Sequence, residues 1–134
     1  MTASPVTRYR QNEVTCMSAA RRVVFLYSQV VAALRHASRA IQVNDHASRS
    51  QALCQGREIV NELLVTLDHE AGGDLAENLV RLYEYFQHEI THLDFHPDGG
   101  RLARLTELVA MLHDAWEQAA RQVAEQPASG TVNG

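Results

Sequence analysis

His88-Glu89-Ile90-Thr91-His92 is the stretch of this 134-residue chain whose residue types and spacing match a catalytic signature. In the H-E-x-x-H pattern, two His one helical turn apart chelate zinc and the intervening Glu serves as general base. A catalytic zinc also needs a third protein ligand. The extended pattern with a later His is absent, since His96 follows after only Leu93-Asp94-Phe95. Glu107, His113 or Glu117 lie on a following helix, and nothing singles one of them out. With seven His in the chain a chance match is not rare. Counted at about 100° per residue from Leu75, His88 and His92 fall roughly 220° and 260° round, on the polar face of their helix. They read as solvated surface histidines, open to adventitious zinc or nickel, rather than as a hydrolase site.

Other catalytic chemistry has less to stand on. A di-iron bundle needs Glu-x-x-His on core faces, and Glu89 precedes His92 by three only once, on the outer face. Gly72-Gly73 and Gly99-Gly100 are turn pairs, not a phosphate-cradling loop. Ser, Cys and His form no nucleophile arrangement. Cys16 and Cys54 fit no metal or redox spacing and read as reduced, inert thiols. No cofactor and no metal are expected.

The helix that carries these residues is itself the more informative object. It opens at Gly73-Asp74-Leu75-Ala76-Glu77-Asn78 and runs to about Phe95. Asp74 is a good N-cap, and Glu77 three residues later gives an Asp variant of the capping box. Leu75, Leu79, Leu82, Phe86 and Leu93 cluster within roughly 60° as a core stripe. Ile90, Tyr83 and Val80 extend it on one flank and Tyr85 on the other. The apolar arc reaches roughly 220°, where a surface helix shows 100° or a little more. Either two neighbours grip this helix, or one flank binds another chain.

Three further helices surround it. The first begins at Ser18 as N-cap and runs to about Val43, with Val23, Val24, Tyr27, Val30, Val31, Leu34 and Ile41 at helical spacing. Asn44-Asp45 ends it. The second runs from about Ala47 to Asp68 on Leu53, Val60, Leu64 and Leu67, widened by Ile59 and Leu63. Glu70-Ala71-Gly72-Gly73 breaks the chain. After His96-Pro97-Asp98-Gly99-Gly100, the fourth runs from about Arg101 to Glu125 on Leu102, Leu105, Leu108, Val109, Leu112, Trp116 and Val123. Short links make antiparallel neighbours. The expected fold is all-α: an antiparallel up-down-up-down four-helix bundle over 18–125, with an N-terminal arm (1–17) and a disordered tail (126–134).

Composition agrees with an ordinary soluble domain, at 46% apolar and 21% charged residues. No apolar run approaches the ~20 residues of a membrane span. The N-terminus lacks the apolar core of a signal peptide, so a cytoplasmic location is expected. Residues 1–67 carry 8 Arg against 4 acids, and 68–134 carry 4 Arg against 12 acids. That asymmetry fits complementary helices in one bundle. Neither half has a dense basic run with interleaved aromatics, so nucleic acid is not an expected partner.

The run Leu67-Asp68, then Gly72-Gly73-Asp74-Leu75-Ala76-Glu77-Asn78-Leu79 and Leu82-Tyr83-Glu84-Tyr85, resembles the flagellar secretion chaperones of the FliS family. Phe25-Leu26-Tyr27, Ile59-Val60-Asn61-Glu62-Leu63 and Asp114-Ala115-Trp116 support it, and the likeness runs from about Tyr9 to Ala119. The chain departs from the family pattern at Ala19 and Arg22, at His88-Glu89-Ile90, and in the link before the fourth helix. The resemblance implies a binding protein, not an enzyme. It implies a groove that holds the disordered C-terminal segment of flagellin by helix-in-groove recognition and keeps it export-competent. It also brings in the flagellar export apparatus as a further partner. The groove residues expected on this basis are Ile59, Leu63, Leu79, Tyr83 and Tyr85. Asn78 bonds either the partner's backbone or its own helix turn. Tyr9 and Val14 belong to an arm that, by the resemblance, covers the empty groove. Tyr27 and Trp116 are expected in the core. A helical adaptor that kept the bundle and changed partners is the alternative.

Overall fold

The computed structural model describes residues 5–125, with side chains described outside 5–18 and 69–71. It contains four helices: α1 (Pro5–Gln42), α2 (His46–Val65), α3 (His69–Phe95) and α4 (Gly99–Glu125). They form the expected antiparallel up-down-up-down bundle, and no strand occurs among the described residues. The tail from residue 126 lies outside the described residues, as do the side chains of Tyr9 and Val14.

Local chemistry sets the helix ends. α1 starts at Pro5 rather than at Ser18. Proline is favoured at a first helical position, where its missing N–H leaves no bond unmade, and no glycine or further proline interrupts the run to Gln42. α1 stops where Asn44 adopts φ 56°, a left-handed conformation that Asn tolerates. The Asp45 N–H then donates back to the Ala40 carbonyl at 2.9 Å. The same Asp45 caps α2, its carboxylate accepting from the Ser48 N–H at 3.0 Å and the Ser48 hydroxyl at 2.8 Å. Those bonds hold the Asp45 carboxyl below the usual carboxylate range. Asp98 does the same for α4, accepting from the Arg101 N–H at 3.0 Å. α3 carries a break at Gly73 (φ 52°, ψ −126°), a conformation reserved for glycine.

The core is drawn from all four helices. Tyr27, Val30 and Leu34 come from α1; Leu53, Val60 and Leu63 from α2; Tyr83, Phe86, Ile90 and Leu93 from α3; Leu102, Leu105 and Val109 from α4. Tyr27 is fully buried in the core as expected, and Trp116, expected there too, is partly buried with its ring packed on that of Tyr27, centroids 6.1 Å apart. Small residues let α1 and α2 approach closely: a Cβ placed on Gly56 would lie 3.6 Å from that of Ala33.

Two expected core positions are surface positions. Leu75 is 58% exposed and Val123 51% exposed. Each sits near a helix end. The buried stripe of α3 is accordingly turned toward Ala76, Tyr83 and Ile90.

The helices do not close the ring evenly. α1 packs closely along both α2 and α4, and α2 along α3, whereas the α3 and α4 backbones come close at few positions.

Candidate functional site

The seam between α3 and α4 is closed at one end by an ion pair. Arg101, in the first turn of α4, donates from Nε to Glu89 Oε2 at 2.9 Å and from Nη2 to Glu89 Oε1 at 2.6 Å. This is the two-pronged geometry in which a guanidinium binds a carboxylate most strongly. Glu89 is only 7% exposed, the sole buried charged residue among those described. The Arg101 hydrogen bonds outweigh burial and hold its carboxyl below the usual range. The same bonds raise the Arg101 guanidinium. Both groups are therefore charged at neutral pH. Glu89 was expected on the outer, solvated face; its partner 12 residues on, across the turn, instead carries it into the seam.

Away from that latch the two helix backbones stay farther apart than those of the other neighbouring helices. Antiparallel helices that pair Glu89 with Arg101 set Tyr85 opposite Leu105, Leu82 opposite Leu108, and Asn78 opposite Leu112. Leu82, which shares the Glu89 face of α3, and Leu108 and Leu112, which share the Arg101 face of α4, are half-buried against the core. Tyr85 is 46% exposed. Next to the latch a cavity of about 420 Å³ is lined by Tyr85, Glu89, Arg101, Arg104, Leu105 and Leu108. The result is an apolar trough with a charged, polar end. Such a trough suits an amphipathic helix, whose apolar face enters while its polar face stays in water.

The residues expected in a groove divide into three groups. Asn78 and Tyr85 lie on the Glu89 face of α3, at the seam, whereas Leu79 lies on the core stripe, half-buried; Asn78 accepts from Arg81 at 3.4 Å. Ile59 is half-buried on α2, against the core. Leu63 and Tyr83 are buried, and the Tyr83 hydroxyl bonds that of Tyr27 at 2.8 Å. Burial pushes both phenols above the ordinary tyrosine value. The α4 wall, with Leu105, Leu108 and Leu112, was missed as a binding surface. Its leucines read as plain core stripe, and only the gap between α3 and α4 sets them apart.

The H-E-x-x-H residues do not converge. His88 is exposed and lines a polar groove of about 620 Å³ between α2 and α3, beside Cys54, Arg57 and Thr91. The His92 ring lies 4.9 Å from that of His96. Both Glu89 oxygens are taken by Arg101, so this carboxylate is not free to act as a base toward a water between the two His. Among the described residues no three His, Cys, Asp or Glu side chains are placed to hold a metal ion. None of the described helices is long and apolar enough to cross a membrane.

Comparison with known proteins agrees with this helical, non-catalytic picture. A family model described as "Flagellar protein FliS" matches residues 2–123. The flagellar secretion chaperone FliS of Bacillus subtilis (strain 168) is 28% identical over 116 residues, covering 87% of this chain and 86% of that protein. Its namesake in Escherichia coli (strain K12) is 29% identical over 109 residues, with 79% and 80% covered. That of Salmonella typhimurium (strain LT2) is 29% identical over 122 residues, with 87% and 90% covered.

Proposed function

We propose a function from the premise that this chain belongs to the flagellar protein FliS family, a family of secretion chaperones and not of enzymes: it captures the C-terminal segment of flagellin in the cytoplasm and keeps it unpolymerised until export. The observation that supports this reading is the wide α3–α4 seam, with half-buried Leu82, Leu108 and Leu112 on the helix faces that carry Glu89 and Arg101.

The physics favours an ordering guest. A segment that is disordered when free and forms amphipathic helices on assembly exposes an apolar stripe that would otherwise self-associate. Laid in the seam, that stripe completes the missing α3–α4 contact as a fifth helix. Aromatic side chains carry an outsized share of the energy of such an interface, which puts the weight on Tyr85. The polar rim, with Asn78, sets the guest's depth. The loaded chaperone is then the species delivered to the flagellar export apparatus.

Calorimetric titration with a peptide covering the C-terminal segment of flagellin from the same source tests this reading. The expected result is one-to-one binding with a negative heat-capacity change, the mark of apolar burial. Absence of binding at micromolar concentrations would sink it and favour an adaptor with a different protein partner.

A further inference from the structure

We infer that the cavity at the latched end of the seam binds a carboxylate carried by the captured segment, with Arg104 as its partner; this rests on the reading proposed above. Two arginines and one carboxylate line that cavity. Glu89 occupies Arg101 through both of its guanidinium bonds and so neutralises it. Arg104 is left over: among the described residues it has no hydrogen bond or ion pair. Its guanidinium reaches back along α4 to lie beside Gly100, where a Cβ would stand 3.8 Å from it. That places the unspent positive charge near the first turn of α4, where the helix dipole adds to it. The acid at that end is Asp98, whose Oδ1 already caps the Arg101 N–H at 3.0 Å.

The remaining walls state what accompanies the anion. Leu105, Leu108 and the Tyr85 ring are apolar, so the ligand is a carboxylate next to an apolar side chain, not a free small anion. A guanidinium facing such a trough rewards a carboxylate that arrives on the guest and fixes the guest's register, since a one-turn slip moves the anion off Arg104. The same geometry accepts a terminal carboxylate or an Asp or Glu side chain.

The test uses the flagellin peptide in three forms: native, with its C-terminus amidated, and with its Asp and Glu changed to Asn and Gln. Each is titrated into the full chain and into Arg104→Gln. One altered form should bind the unaltered chain about tenfold more weakly, as loss of a charge-assisted bond requires. That same form should lose nothing further against Arg104→Gln, and the melting temperature of Arg104→Gln should match that of the unaltered chain. Loss on amidation identifies the terminus as the source; loss in the Asn/Gln form identifies a side chain. Equal binding of all three forms, or equal weakening of all three by Arg104→Gln, overturns the carboxylate site. Absence of binding by every form to either protein removes the flagellin reading itself, and the site with it.

Discussion

The phenolic oxygens of Tyr27 on α1 and Tyr83 on α3 lie 2.8 Å apart inside the bundle, each ring buried and the two in edge contact with centroids 6.1 Å apart. The Tyr27 hydroxyl donates to that of Tyr83 across the core, so the pair ties together two helices that are not sequence neighbours. Tyr83→Phe should cost about 1–3 kcal/mol, because it removes the acceptor of the buried Tyr27 O–H. The double change Tyr27→Phe with Tyr83→Phe should cost less than the sum of the two single changes, since each removes the same bond. Urea denaturation of the three variants measures this non-additivity. Simple additivity would show that the bond contributes nothing.

The same pair sets an alkaline limit. Burial raises both phenols above the ordinary value of about 10. A raised folded-state value means that the contribution to stability is complete below about pH 10 and is lost as pH climbs beyond it. The melting temperature should therefore fall above about pH 10, and the double Phe variant should show a flatter alkaline limb. Equal limbs would contradict the assignment.

Glu89 works in the opposite direction. Its Arg101 bonds hold its folded-state value below that of an unfolded glutamate, about 4.3. Its contribution is present above that pH and is lost as pH falls through the folded value. Glu89→Gln should lower stability by about 1–2 kcal/mol at pH 7, less than a fully buried pair would, because Arg101 keeps 34% of its side chain exposed. The variant should also flatten the acid limb below about pH 4. An unchanged acid limb would show that the latch is not energetically coupled.

Gly73 supplies a backbone test. Its φ of 52° with ψ of −126° is closed to residues with a Cβ, although a Cβ there would meet no atom within 4 Å. Gly73→Ala should thus cost about 1–3 kcal/mol through strain alone. Gly99→Ala, equally uncrowded and at the start of α4, should be neutral or stabilising by up to about 1 kcal/mol. Chemical denaturation of the two variants separates strain from crowding, and equal effects would refute the distinction.

How much of this was legible in the sequence depends on the range of the interaction. The four helices were legible because Val30 with Leu34, Val60 with Leu64, Phe86 with Ile90 and Leu105 with Val109 repeat at local spacing. The start of α1 was not: Ser18 is a sound cap, yet nothing before it breaks a helix, and Pro5 starts one. Leu75 looked like core because a helical wheel has no ends; the bundle does. Glu89 looked solvated because the group that buries it lies across a turn on another helix. Surplus apolar surface on α3 was visible from its arc, whereas its location at a gap facing Leu108 and Leu112 depends on which helices fail to pack, and no local pattern records that.

The central claim is that the α3–α4 seam, and not another face, holds the guest. Affinity for the flagellin C-terminal peptide, measured by calorimetry for Tyr85→Asp and for Phe25→Asp, tests it most directly. Tyr85 stands at the seam; Phe25 is 59% exposed on α1, a helix that packs along α2 and α4. Both changes are at exposed positions and should leave the fold intact. The account predicts that Tyr85→Asp weakens binding at least tenfold, about 1.4 kcal/mol or more, while Phe25→Asp binds as the unaltered chain does. Loss of binding in Phe25→Asp with full affinity in Tyr85→Asp would contradict it.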